Sequence, residues 1–216
     1  MTVAFTKIAF TPSVKAAQSL HGSRAAYARL ERSEDAGHEF TQQEVEYIQE
    51  RDGFYQATVS ETGWPYVQFR GGPAGFLKVL DAKTLGYADF RGNRQYLSVG
   101  NVNADGRIAL ILMDYANRRR LKIWGRAKVI HESEDPDLLA RLEMPGYRAR
   151  VERAVIIAVE AFDWNCPQHI TPRFTEAEIA EWAAGLQQRL TNLEEENARL
   201  MALIHAARDK ETGPGP

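Results

Sequence analysis

The residues best suited to hold a phosphate group lie in the short loop Arg91-Gly-Asn-Arg-Gln95. This loop places two guanidinium groups, two side-chain amides and a glycine backbone within five residues. Guanidinium forks and free backbone amides offer several hydrogen-bond donors in fixed geometry, which suits an anionic phosphate. A solvated polar turn has a similar composition, so the loop by itself leaves both interpretations open.

A basic pair, Arg70 and Lys78, precedes this loop on two segments that resemble strands. Arg70 follows Pro65-Tyr-Val-Gln-Phe69, whose β-branched and aromatic content is typical of a strand. Lys78 lies eight residues later in the apolar run Phe76-Leu-Lys-Val-Leu80, after a Gly-Gly-Pro break. The two cations and the polar loop therefore follow one another along a predicted β-rich stretch.

The order of these motifs resembles the pyridoxamine 5′-phosphate oxidase-like flavoproteins. In that family, an Arg…Leu-Leu-Lys strand and a Ser-Arg-Lys loop hold the phosphate of FMN. The resemblance implies a split β-barrel, FMN as the cofactor, and a binding site at the interface of a homodimer. It assigns cofactor contacts to Gln68, Arg70, Gly71, Lys78, Asn93, Arg94 and Gln95. This chain departs from the oxidases in the Gly-Gly-Pro insertion and in Gln95, which stands where they usually have lysine.

A later segment resembles a family strand that reaches the flavin ring. Arg119-Arg-Leu-Lys-Ile-Trp-Gly125 matches that strand, with Arg120 at the position of a family glutamine. An arginine there would stabilise negative charge on a reduced flavin. The alternative is that Arg118 to Arg120 form a solvated hairpin tip.

The segment from Asp163 to Phe174 is unusually rich in large polar and aromatic residues for a connecting loop. Trp164 and Arg173 resemble, in order, a tryptophan and an arginine that the family's oxidases place against flavin and substrate. Gln168 and His169 are candidates for contacts on the substrate side. The alternative is that the segment only closes the mouth of the barrel.

Composition excludes several other classes of protein. The chain has 216 residues, 44% of them hydrophobic and 26% charged, and a formal net charge of −2, which argues against nucleic acid as a partner. It contains no long apolar run and no signal-peptide pattern, so we expect no membrane association. Its one cysteine, Cys166, cannot form an internal disulfide, which favours the cytoplasm. The five histidines have no ligand-like spacing, so we expect no metal site.

Hydrophobic patterning predicts an α+β fold that is mainly β. Helix-start signals occur at Thr11-Pro12 and at the capping box Thr41-Gln-Gln-Glu44. Strand-like runs between residues 54 and 162 indicate about six strands, and the run 107–113 is apolar enough to be buried on both faces. We assign 1–52 to an N-terminal helical extension, 53–174 to the FMN-binding split β-barrel, 175–210 to a C-terminal dimerisation helix and 211–216 to a disordered tail.

The C-terminal helix carries a heptad pattern. A capping box at Thr175-Glu-Ala-Glu178 starts it, and apolar residues then recur at spacings of three and four. The sequence places Leu190, Asn197 and Ile204 at a positions, with leucines at d. A single asparagine at a favours a parallel two-stranded coiled coil. The alternative is a helix that folds back onto its own barrel.

Two functions that use the pocket follow from these observations, and a third interpretation is an assembly module built on the coiled coil, with a vestigial pocket. The first is an FMN-dependent oxidoreductase that acts on a small organic substrate, with the flavin at the interface of a homodimer formed by the barrel and the coiled coil. The second is a non-catalytic sensor or carrier that holds flavin or haem on the same barrel. Haem would need an axial ligand such as His169, and a deazaflavin in place of FMN is a further alternative.

Overall fold

The computed structural model describes residues 1–32, 37–164 and 167–211. It divides the chain into two compact units, Met1–Thr171 and a second unit that begins at Pro172. The predicted disordered tail lies outside the described residues except for Glu211, and so does Cys166.

A single antiparallel sheet forms the body of the first unit. In the described residues it has seven strands in the order β2-β1-β5-β6-β7-β4-β3. This confirms the predicted α+β fold, with one strand more than the expected six. The strands are β1 Gly53–Val59, β2 Pro65–Gly71, β3 Lys78–Asp81, β4 Thr84–Phe90, β5 Arg107–Asp114, β6 Arg119–His131 and β7 Val151–Trp164.

The sheet curls into a barrel that stays open on one side. The ring centroids of Phe54 in β1 and Tyr87 in β4 are 5.4 Å apart, and the Tyr87 hydroxyl donates to Gln56 at 2.5 Å. Since β1 and β4 stand second and sixth in the sheet, these contacts require strong curvature. Across the described ranges no ladder joins β2 to β3, so the barrel is split between these two edge strands.

Helices pack around this sheet. Thr41 and Glu44 form the predicted capping box of α4, which buries Tyr47 and Ile48 against the core. The Tyr47 hydroxyl donates to the carbonyl of Leu112 at 3.0 Å and so fixes α4 to the sheet. The helices of the first unit are α1 Val3–Ala9, α2 Pro12–Leu20, α3 Arg24–Leu30, α4 Gln42–Gln49, α5 Leu97–Ala104 and α6 Pro136–Leu142.

The sheet leaves apolar side chains exposed on the outer side of β2, β1 and β5. Tyr55 pairs with Phe69 on one side and with Ile111 on the other, so these three side chains share a face. With Val67 they form what we call the outer apolar face, and Val67 and Phe69 are 60% and 59% exposed. Side chains of β5 alternate between core and solvent. The prediction that 107–113 is buried on both faces is therefore wrong for the single chain.

The second unit contains one long helix, α7 Glu176–Glu211. Thr175 and Glu178 form its predicted capping box, in which the Glu178 backbone N–H donates to Thr175 Oγ1 at 3.2 Å. The Thr175 N–H donates in turn to Glu178 Oε2 at 2.7 Å. Of the helices in the described residues, none combines the length and apolar character needed to cross a membrane.

Candidate phosphate site

A cleft lies where the end of β4, the following loop and the start of α5 meet β2. It has a volume of about 180 Å³. Five of the predicted cofactor contacts line it: Gln68, Arg70, Asn93, Arg94 and Gln95. The strand and the loop that the sequence separates by more than twenty residues therefore meet at one place, as the phosphate hypothesis requires.

Two arginines share one carboxylate at the base of this cleft. Asp89 in β4 accepts from Arg70 Nη1 at 2.6 Å, and its other oxygen lies 3.5 Å from Arg153 Nε. Burial raises the pKa of Asp89 above its ordinary value, although Arg70 and Arg153 act to lower it. In the described structure, Arg70 Nε and Arg153 Nε are buried without a hydrogen-bond partner. Arg70 lines the cleft, so one of these two cationic side chains is next to any ligand that binds there.

The loop at the rim has a backbone conformation that few residues adopt. Arg94 and Tyr96 have φ values of 64° and 55°, in the left-handed region that disfavours residues with a Cβ. The Gln95 N–H donates to Asn93 Oδ1 at 3.1 Å and tightens the turn. The Arg153 guanidinium lies 4.7 Å from the Tyr96 ring centroid. This cation–π contact helps to hold Tyr96, the residue that follows the loop, in place. Such strain is concentrated at ligand-binding sites because the surrounding structure must hold it in place.

The N-terminus of α5 also opens into this cleft. Leu97, Ser98 and Val99 line it, and the preceding residue Tyr96 makes no side-chain hydrogen bond to cap the helix. The first N–H groups of a helix have no partner within the helix, and their dipoles favour an anion. Ser98 Oγ donates to Gln68 Oε1 at 3.0 Å, which ties α5 to β2. The cleft thus combines guanidinium and backbone donors.

Lys78 does not join this group. It begins β3, and its Nζ donates to the carbonyl oxygens of Arg141 at 2.7 Å and Glu143 at 3.3 Å. These carbonyls belong to the end of α6 and the residue after it, where a cation is favourable. Gly71, at the end of β2, is likewise not among the residues that line the cleft.

Arg120 and Trp164 lie on β6 and β7 and do not line the cleft either. In the described structure, Arg120 Nε is buried without a hydrogen-bond partner. Trp164 Nε1 donates to Glu44 Oε1 at 2.7 Å, and Arg119 lies 4.8 Å from the Trp164 ring centroid. In the single chain, Trp164 therefore helps to fasten α4 to the sheet.

The substrate-side candidates fall in two different units. Gln168 and His169 are exposed residues of the first unit, beyond the end of β7. His169 has a φ of 62°, so the backbone turns sharply there. Neither residue lines the cleft. Arg173 belongs to the second unit and is exposed.

Sequence reasoning missed three charged residues that lie at the cleft or next to it. Asp89 and Arg153 are a cross-strand pair between β4 and β7. Glu152, next to Arg153, accepts from the Tyr96 hydroxyl at 3.4 Å. Arg153 could have been noticed in the sequence, because it is a charged residue next to the apolar run of a predicted strand. Its partner could not be inferred, because pairing of distant strands depends on the register of the whole sheet.

Comparison with known proteins agrees with the fold. The family model for pyridoxamine 5′-phosphate oxidase matches residues 40–164, more than half of the chain. The chain therefore belongs to the pyridoxamine 5′-phosphate oxidase family. No curated protein sequence matches it.

Several solved structures are similar to this chain at low identity. HupZ from Group A Streptococcus is 19% identical, with a TM-score of 0.48 over 62% of this chain and 99% of that one. A putative pyridoxamine 5′-phosphate oxidase from Lactobacillus delbrueckii is 23% identical, with a TM-score of 0.45 over 58% and 94%. An FMN-binding protein from Syntrophomonas wolfei is 12% identical, with a TM-score of 0.44 over 68% and 97%.

Proposed function

We propose that this protein binds FMN and uses it as an oxidoreductase on a small organic substrate. The observation that carries the proposal is the convergence of Arg70, Arg94 and the start of α5 on one cleft. These groups fit a phosphate monoester. Bound FMN would exchange electrons with an organic substrate, while the protein supplies binding and electrostatics.

The residues present satisfy the demands of a phosphate. Its oxygens need several donors, and the cleft is lined by Arg94, by the first residues of α5 and by Arg70, whose side chain is partly exposed. Contact with Tyr96 raises the pKa of Arg94, so this side chain is cationic at every physiological pH. The hydrogen bond from Arg70 Nη1 to Asp89 Oδ1 holds the Arg70 side chain in position.

A complete flavin site would need a second copy of this chain. The cleft is smaller than the roughly 300–1,000 Å³ of complete small-molecule pockets, so it suits the phosphate end of FMN only. The outer apolar face leaves Tyr55, Val67, Phe69 and Ile111 exposed, which is typical of a surface that another chain covers. Arg120, which does not line the cleft, is the residue that we expect the second copy to bring to the flavin ring.

No observation favours the haem alternative. Haem needs an axial side chain, and among the residues that line the cleft in the described structure none is a histidine. Flavin binding without catalysis stays the alternative to the oxidoreductase, and turnover with candidate electron donors separates the two.

The test compares FMN with riboflavin, which lacks the phosphate. Protein freed of bound ligand is titrated with each, following flavin fluorescence. Loss of two charge-assisted hydrogen bonds of about 1.5–3 kcal/mol each would weaken binding of riboflavin by roughly 10²–10⁴-fold relative to FMN. Equal affinity for the two flavins would refute the phosphate site.

A matched pair of variants tests whether Arg94 is responsible for the preference for FMN over riboflavin. Arg94→Ala should remove most of the preference for FMN over riboflavin, because it deletes a phosphate donor at the rim of the cleft. Arg148→Ala is the control, since Arg148 is an exposed arginine that does not line the cleft. If both variants lose FMN equally, a general charge effect and not the loop accounts for binding.

A further inference from the structure

The long helix α7 presents a seam of half-exposed apolar side chains. Leu186, Leu190, Leu193, Leu200 and Ile204 are between 47% and 61% exposed. With Asn197 they recur at spacings of four, three, four, three and four residues. Alternating spacings of four and three repeat every seven residues, and such a heptad repeat keeps the seam on one side of two helices that wind around each other with a left-handed twist.

We propose that α7 forms a parallel, in-register, two-stranded coiled coil with α7 of a second copy of this chain. Leu190, Asn197 and Ile204 would occupy the a positions, with Leu186, Leu193 and Leu200 at d. Leucine at d is compatible with two strands. This proposal does not depend on the flavin, because it rests only on residues of the second unit.

Asn197 identifies the partner and fixes the register. Its amide has both donors and acceptors, so two copies of Asn197 at the same level satisfy each other. A shifted or antiparallel arrangement would set Asn197 against a leucine and leave a buried amide without a partner, which is costly. A polar residue at one a position is known to specify register in this way.

The charges beside the seam agree with the same arrangement. Arg189 falls at a g position and Glu194 at the following e position, five residues further on. In a parallel pair, a g residue of one helix faces the next e residue of the other, so Arg189 would meet the second copy's Glu194. The next such pair sets Glu196 against an uncharged methionine, Met201, so no like charges meet. The helix is therefore complementary to itself.

Disulfide trapping in the full chain tests this arrangement. The background is Cys166→Ser, which removes the one native thiol. Leu200→Cys places a thiol at d, where parallel helices bring equivalent positions together. Glu195→Cys is the matched control, because it lies at f, on the far side of the helix. Circular dichroism checks that each variant keeps the helical content of the parent chain.

The expected result is a cross-linked dimer as the main species for Leu200→Cys under mild oxidation, and almost none for Glu195→Cys. Absence of cross-linking at Leu200→Cys would overturn the proposal, since antiparallel helices, a helix folded on its own barrel and a different partner all separate these thiols. Equal cross-linking at both positions would overturn it as well, because it would indicate random collision. Flavin content has no bearing on either outcome.

Discussion

Replacement of Arg70 by methionine isolates the electrostatics at the base of the cleft. The Arg70 and Asp89 side chains are 16% and 7% exposed, so their contact at 2.6 Å is largely shielded from water. Removing one partner of a buried pair costs about 3–5 kcal/mol when nothing else compensates the remaining charge. Arg153 still lies 3.5 Å from Asp89. We therefore expect Arg70→Met to lower the free energy of unfolding by about 2–3 kcal/mol at neutral pH.

The pH dependence gives this prediction a second, independent signature. Burial already raises the pKa of Asp89 above its ordinary value of 3.8, and Arg70 is the main influence that lowers it. Without Arg70 the pKa of Asp89 in the folded chain rises further, while its pKa in the unfolded chain stays unchanged. A raised carboxyl pKa means that stability present at low pH is lost as pH rises through the folded-state value. The deficit of Arg70→Met should therefore shrink as pH falls from 7 towards 4.

Urea unfolding of flavin-free protein, at fixed protein concentration, measures both effects. The double variant Arg70→Met/Asp89→Asn is the control, because it removes the carboxylate that Arg70 compensates. It should be more stable than Arg70→Met alone at pH 7 and show no such pH dependence. A deficit of Arg70→Met that is the same at pH 4 and pH 7, or a double variant no more stable than the single one, would refute the reasoning.

Two further predictions concern the packing of the sheet. Gly125→Ala should destabilise the fold by about 1–3 kcal/mol in thermal unfolding, because the added Cβ would clash with the backbone oxygen of Ala158 in β7. Gly92→Ala is its control, with no atom within 4 Å of the new Cβ, and the two should not behave alike. Trp164→Phe should cost about 1–3 kcal/mol, since it removes a hydrogen bond at 2.7 Å to the buried carboxylate of Glu44. A Trp164→Phe protein as stable as the parent would show that this bond contributes nothing net.

Local features of the fold could be predicted from the sequence because their causes are local. The capping boxes at Thr41 and Thr175 fix the starts of α4 and α7 through side chains three residues away. The loop Arg91–Gln95 could be predicted to be a phosphate site because its donors are neighbours in sequence. Its residues Gly92 to Gln95 line the cleft together with Arg70, which the family resemblance assigned to the same ligand.

The rest of the site depends on contacts between distant segments. Lys78 shows the difference: its spacing from Arg70 suggested a shared ligand, but β3 directs it to the carbonyls at the end of α6. Asp89 and Arg153 come together only because β4 pairs with β7 in one particular register. The exposed side of β5 was missed for a related reason. An apolar run indicates that its residues are buried in the functional state. It does not indicate whether they are covered by the same chain or by another one.

Strand β2 belongs to two surfaces at once. Its side chains alternate between the two faces of the strand: Gln68 and Arg70 line the cleft, whereas Val67 and Phe69 lie on the outer apolar face. Ligand binding and association of chains through this face would then act on opposite sides of a single edge strand, so a shift of that strand changes both. Linkage is reciprocal: whatever factor association adds to the affinity for ligand, ligand adds to the affinity between chains. The dissociation constant of the proposed dimer, measured with and without flavin, would therefore report how strongly the two faces of one strand are coupled.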